Sequence, residues 1–270
     1  MTLHLQPRRP FWNQFWPLFA AGTVGVASLV PVVVQQVTAL ELPEGAPPVA
    51  VLAAISLIQT AILVAGAVAI GAAVAPRIGL RSLLAEWRTN PEPIWPALRA
   101  ALPIALAGGV VSTLAVLGLD MLFKPILSAE FAAASAEAPP RTIGYTIMGV
   151  LYGGMTEEIL LRWGVLSLLA WGLWRLAGRP TAADRRPAAV VMWAAIIGAA
   201  VLFGVGHLPA VAALAPLTPI LIARTIALNS VAGIIFGWLY WRHHLEAAMV
   251  AHATFHIVLT AIVWTTGSGV

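Results

Sequence analysis

Cysteine is absent from the 270 residues, which excludes thiolate metal sites, a cysteine nucleophile and disulfides, and leaves the redox compartment unmarked. Charge is nearly as scarce, at 10% of residues against about 25% in soluble domains. Lys124 is the sole lysine, so the basic balance rests on arginine. No ten-residue alternation of polar and apolar positions marks an outer-membrane barrel. No repeat of 20 to 50 residues and no polar stretch long enough for a separate core is present either. Two catalytic patterns are also missing: there is no His-Glu-x-x-His helix and no Gly-x-Ser-x-Gly elbow.

What fills the chain is apolar: 60% of its residues are hydrophobic, and its mean hydropathy is +0.90. Runs of about 20 apolar residues, the length that spans a bilayer, fall near 13–36, 49–75, 97–119, 143–174, 188–207, 217–241 and 245–265. The fold class is therefore all-α, a polytopic transmembrane helical bundle of about seven spans, with six to eight as the range. It is expected to form one integral membrane domain, with scaffold helices over 1–140 and a core carrying the polar motifs over 141–270.

Every second loop is basic. Arg8 and Arg9 precede the first run, Arg77, Arg81, Arg88 and Arg99 follow the second, Arg175, Arg179, Arg185 and Arg186 the fourth, and Arg242 the sixth. The alternate loops, with Glu41 and Glu44, then Asp120, Lys124, Glu130 and Glu137, then the uncharged 208–216, have no such excess. The positive-inside rule gives a cytoplasmic N-terminus and an outside C-terminus. Arg8 and Arg9 before an apolar run also resemble a cleavable or twin-arginine leader, but the run is longer than a usual signal core. A lysine-poor, Ala- and Arg-rich multi-pass chain fits a bacterial inner (plasma) membrane, and its loop charges are topology signals, with no nucleic-acid footprint.

Ionisable groups in lipid cost at least about 2.5 to 3.5 kcal/mol each at a helix centre, so a cluster of them marks function. Glu157, Glu158 and Arg162 lie in the fourth run, His207 ends the fifth, and His252 and His256 lie in the seventh. A spacing of four puts Glu158 and Arg162 on one helix face, with Glu157 about 100° round. For one acid and one arginine, an ordering ion pair is an adequate account. Two adjacent carboxylates are harder to keep ionised in a low-dielectric site, which suits the pair to moving a proton. Phe203 and His207 share a face by the same spacing, and so do His252 and His256, a geometry able to grip a metal from one helix.

Depth agrees with a meeting. At a rise of 1.5 Å per residue, Glu158 lies about 20 Å from the Trp171 and Trp174 belt, His207 about 21 Å from Trp193, and His252 about 14 Å from His243. Arg224 and Asn229 are read as structural polar groups, and the pairs Gly149 with Gly153 and Gly233 with Gly237 as close-packing positions. His243 and His244 sit at a membrane edge and receive no chemistry.

These motifs resemble the CAAX protease and bacteriocin-processing family of intramembrane endopeptidases, also called the Abi family. The family pattern is two glutamates with an arginine four residues after the second, phenylalanine four before histidine, and histidine four before asparagine or a related polar residue. The resemblance runs over roughly 145–263 and departs at His256, where asparagine is commoner. It implies cleavage of a peptide bond in a membrane-associated protein or peptide, with or without a lipid on the substrate.

Two mechanisms fit the resemblance. In the first, Glu158, aided by Glu157 and His207, activates a water, His252 and His256 donate to the oxyanion, and no cofactor is needed. In the second, His207, His252 and one glutamate hold a Zn²⁺ that lowers the pKa of its bound water, with Glu157 and His256 among the candidate ligands, and the other glutamate is the general base. Arg162 orients a carboxylate in either. The rival readings are a non-catalytic scaffold or bacteriocin-immunity protein and a proton-coupled carrier, the latter disfavoured by the missing repeats. The expected partners are membrane lipid and a peptide or protein substrate; substrate identity and oligomeric state are not legible.

Overall fold

The computed structural model describes residues 10–40, 42–87, 93–136, 141–178 and 186–267. Of the loop charges used for topology, Arg8, Arg9, Glu41, Arg88, Glu137, Arg179 and Arg185 lie outside these residues. The described residues contain no strand. A chain this apolar can satisfy its backbone in lipid only within helices, since no water is there to bond an open N–H or C=O.

Six helical segments are long and apolar enough to cross a membrane: Val49–Ile78, Ile94–Ile126, Ile143–Leu176, Ala189–Ala212, Pro219–Arg242 and Leu245–Thr266. The first predicted span differs from expectation. It is two helices, α1 (Phe11–Ser28) and α2 (Val30–Thr38), bent by 41° at Leu29. Pro31 follows the bend in the first turn of α2, where a proline needs no partner for its missing N–H but cannot continue the ladder behind it.

The remaining helices are α3 (Val49–Val74), the short α4 (Leu83–Trp87), α5 (Ile94–Phe123), α6 (Ala129–Ala136), α7 (Ile143–Met148), α8 (Ser167–Leu176), α9 (Ala189–Gly206), α10 (Leu208–Ala212), α11 (Pro219–Arg242) and α12 (Leu245–Thr266). Between α7 and α8 the same span continues in wide π turns, over Gly149–Glu157 and Ile159–Leu166. Residue spacing alone implies regular α turns there. Departures of this kind concentrate at functional sites, and this one carries Glu157, with Glu158 at the junction of its two stretches. The widened segment is tied to its neighbours: Thr156 donates to the Gly22 carbonyl at 2.8 Å, and Trp163 Nε1 to the Val68 carbonyl at 3.3 Å.

Glycine allows the central helices to touch. A Cβ on Gly204 would lie 2.6 Å from Ile226 Cα, and one on Gly233 2.9 Å from the Ala200 side chain, so α9 and α11 pack backbone to backbone. The core around them includes Trp163, Leu166, Ile196, Phe236 and Tyr240, all essentially inaccessible.

Polar locks close both ends of the bundle. At the arginine-rich end, Glu246 in the first turn of α12 accepts from Ser82 Oγ at 2.6 Å and from the Leu83 and Leu84 amides at 2.9 Å each. The Leu245 amide donates to the Arg81 carbonyl at 3.1 Å. This fixes the loop before α4 across the mouth of α12. At the opposite end, Arg224 pairs with Asp120 at 2.5 Å and lies 5.1 Å from the Phe131 ring, while the Asn229 amide donates to the Thr225 carbonyl of its own helix. Arg224 and Asn229 thus both have structural partners.

Candidate active site

The site lies where the π-wound span, α9, α11 and α12 meet. Arg162, 2% exposed, places Nη1 3.1 Å from Glu158 Oε1, and Nη2 donates to the Gly233 carbonyl at 3.2 Å. Its guanidinium faces the rings of Phe203 and Phe236 at 5.0 and 5.5 Å. A cation in an apolar bundle is held this way by one carboxylate, one carbonyl and two aromatic faces.

Glu158 is fully enclosed. His252 Nδ1–H donates to Glu158 Oε1 at 2.8 Å, so one carboxylate oxygen serves both the guanidinium and the imidazole. Oε2 is buried with no hydrogen-bond partner among the described residues. Glu157 differs: its side chain is 16% exposed, against 0% for Glu158, and its Oε2 lies 3.9 Å from His252 Nε2. The two neighbours therefore do different things. Glu158 is held by two partners, and Glu157 stays partly exposed beside the imidazole.

His252 is the hub. Its ring stacks on Phe236 at 4.7 Å and on His256 at 5.1 Å, with interplanar angles of 21° and 17°. Phe203 meets it edge-on at 6.1 Å and meets His207 edge-on at 4.7 Å, linking the motif at the end of α9 to the rest. His207 is half-buried at the C-terminus of α9, and its Nδ1–H donates to the Phe203 carbonyl at 2.9 Å, which leaves the Nε2 lone pair open.

The glycines read as packing positions shape this site. A Cβ on Gly153 would stand 2.6 Å from His256 Nε2 and 3.2 Å from His252 Nε2, and one on Gly149 would stand 2.6 Å from His256 Nδ1. The His256 ring lies close against the π-wound backbone and His252 brings its Nε2 to the same place, and only glycine leaves them room.

All six sequence-predicted residues sit in this one region. Contacts join Glu157, Glu158, Arg162, His252 and His256 directly or through one ring, and His207 joins through Phe203. Sequence reasoning misses Phe236 and Arg141. Phe236 is indistinguishable in sequence from any other apolar residue of α11. Arg141 falls in no motif, yet its Nη2 donates to His256 Nδ1 at 3.0 Å.

The donor set does not fit a Zn²⁺ site. Among the described residues no three His, Asp or Glu side chains are grouped to hold a metal ion. The chemistry of His256 points the same way, because a metal ligand needs a lone pair and usually donates its other N–H outward, whereas here Nδ1 accepts from a guanidinium and a neutral ring must carry its proton on Nε2.

Neither a curated protein nor a solved structure matches the chain. Residues 139–258, which hold Arg141 and every one of the six motif residues, match the sequence model described as Rce1-like, type II CAAX prenyl endopeptidase, so this segment is similar to the CAAX protease family.

Proposed function

We propose that the protein is an intramembrane endopeptidase that cleaves a peptide bond with a water activated by Glu157. The observation that carries the reading is the division of labour between the two glutamates: Glu158 is consumed by Arg162 and His252, while Glu157 is partly open and 3.9 Å from His252 Nε2. The family resemblance implies Glu158 as the base; the contacts favour Glu157.

Charge counting supports a working protonation state. Two carboxylates, one guanidinium and one neutral imidazole would leave a net negative charge in a low-dielectric site, and one proton on the Glu157–His252 pair removes it. With that proton on His252, Glu157 is a carboxylate able to take a proton from water, and His252 Nε2–H can donate to a substrate carbonyl. The water oxygen attacks the carbonyl carbon and its proton passes to Glu157. His252 Nε2–H and His256 Nε2–H bind the oxyanion that forms. Collapse breaks the C–N bond, and Glu157 returns its proton to the leaving amine. His207, with its open Nε2, accepts the second proton of the water in a hydrogen bond. No step is routed through a metal.

The arginine-rich loops support placing the N-terminus in the cytoplasm and the protein in a bacterial inner membrane. A substrate segment would reach the buried site within the bilayer, and prenylation of that substrate is not required by any contact described.

The test is cleavage, in detergent or nanodiscs, of a farnesylated CAAX reporter and of a library of membrane-protein peptides, with and without a zinc chelator. We expect cleavage that is indifferent to chelation. Loss on chelation with rescue by Zn²⁺ would move the base to a metal-bound water, and no cleavage of any peptide by folded protein would favour the scaffold reading. In the same assay Gly153→Ala is expected to lower turnover by about 100-fold, the scale of a 1 Å misplacement, because the new methyl displaces both Nε2 atoms. Wild-type turnover in Gly153→Ala would mean those atoms do not touch the reaction.

A further inference from the structure

Arg141 stands just before α7, outside every motif, and its contacts fix it. Trp264 Nε1 donates to its backbone carbonyl at 2.7 Å, its Nε donates to Thr260 Oγ1 at 2.7 Å, and Nη2 donates to His256 Nδ1 at 3.0 Å. Thr260 Oγ1 is itself 2.8 Å from Thr146 Oγ1, which ties the start of the π-wound span to α12 beneath the guanidinium. Among the described residues no carboxylate pairs with Arg141, so the guanidinium is spent on Thr260 and His256 and not on an ion pair.

The consequence follows from valence. Arginine has five donors and no acceptor, so Nδ1 of His256 must offer its lone pair. A neutral imidazole then carries its one proton on Nε2, the atom beside Gly153 and the Nε2 of His252. While Nδ1 accepts from Arg141 it cannot take a proton itself, so the ring is held as a donor of fixed direction. His252 and His207 are set the other way, each giving its Nδ1–H to an oxygen. His256 is thus the one imidazole of the three whose neutral form presents an N–H at Nε2.

We propose that Arg141 is a positioning residue that locks His256 in the Nε2–H tautomer, so that His256 supplies the non-titrating N–H that an asparagine amide supplies where that residue stands at this position. The proposal rests on the peptidase reading for what the N–H does, and on geometry alone for which nitrogen bears the proton.

Two measurements test these parts separately. The first is ¹⁵N NMR of the His256 ring in nanodiscs, which needs no substrate. Wild type should show a protonated Nε2 and an unprotonated, hydrogen-bonded Nδ1, and Arg141→Met should shift the ring toward a mixture of tautomers. A proton on Nδ1 in wild type, or a ring unchanged in Arg141→Met, overturns the lock. The second is a double-mutant cycle on turnover. Arg141→Met should cost about 10- to 100-fold with His256 present, up to the lower end of what loss of an oxyanion donor costs, and no more than about 3-fold in the His256→Asn background, whose amide needs no guanidinium to set its proton. Equal losses in both backgrounds would mean that Arg141 only packs the helices and would overturn the positioning role. If wild type cleaves nothing, the peptidase reading falls, and the ring spectrum still decides the tautomer.

Discussion

Glu157→Gln is expected to abolish measurable cleavage, lowering turnover by about 10² to 10⁴-fold, the range a positioned general acid–base supplies, while leaving the thermal midpoint of the purified protein close to wild type. The amide keeps the shape and the polar atoms of the side chain but cannot take a proton from water. Stability should survive because Glu157 is partly exposed and its contact with His252 spans 3.9 Å, too far for a hydrogen bond that the fold needs. Glu158→Gln gives the contrasting result. There the lost charge is the partner of Arg162 and the acceptor for His252 Nδ1–H, so activity and thermal midpoint should fall together. A thermal melt and a cleavage assay on the two variants therefore separate the base from the anchor. If Glu158→Gln melted as wild type does and Glu157→Gln cleaved normally, the roles assigned to the two glutamates would be reversed.

The contrast between these neighbours also shows where sequence stops being informative. Hydropathy locates the spans to within a few residues, because the requirement for about 20 apolar residues is set by the bilayer and is written locally. The cost of a charge in lipid picks out Glu157, Glu158, Arg162 and the three histidines for the same reason. The family match over 139–258 covers all six.

What composition and spacing cannot carry is tertiary. The spacing of four does pair Glu158 with Arg162, but it says nothing about Glu157 staying partly open beside His252, since that depends on the wide turns of the π-wound segment and on the approach of α12. Hydropathy runs unbroken through Leu29, where the first span bends, and only Pro31 two residues on carries the signal. Gly149 and Gly153 are legible as close-contact positions, but their partners, the His256 ring and the Nε2 of His252, are set by the register of another helix. Arg141 gives no signal of its own, because a guanidinium at a membrane edge is ordinarily a topology charge. Its role depends on a ring that is 115 residues away in the chain.

Arg162→Met should destabilise the bundle by about 3 to 5 kcal/mol, the cost of leaving one partner of a buried pair uncompensated. Methionine keeps the aliphatic stem of the side chain, but it removes the guanidinium that faces Phe203 and Phe236, the cation 3.1 Å from Glu158 Oε1 and the donor to the Gly233 carbonyl. Glu158 has no exposure to water, so its charge cannot be rescued by solvent, and its remaining partner is His252. The site would relieve the charge by taking up a proton or by drawing His252 away from Glu157, and either response also lowers turnover. The double variant Arg162→Met with Glu158→Gln removes both charges and should recover most of the lost stability, because a buried ion pair replaced as a whole is close to neutral. It should not recover cleavage, since a neutral amide in place of the Glu158 carboxylate would no longer hold His252 as the charged group does. Unfolding of the three proteins in mixed detergent micelles reads the stability difference directly. A single Arg162→Met variant that unfolds at the wild-type midpoint would show that the Arg162–Glu158 pair does not hold the site together, and the separation of anchor from base would lose its physical ground.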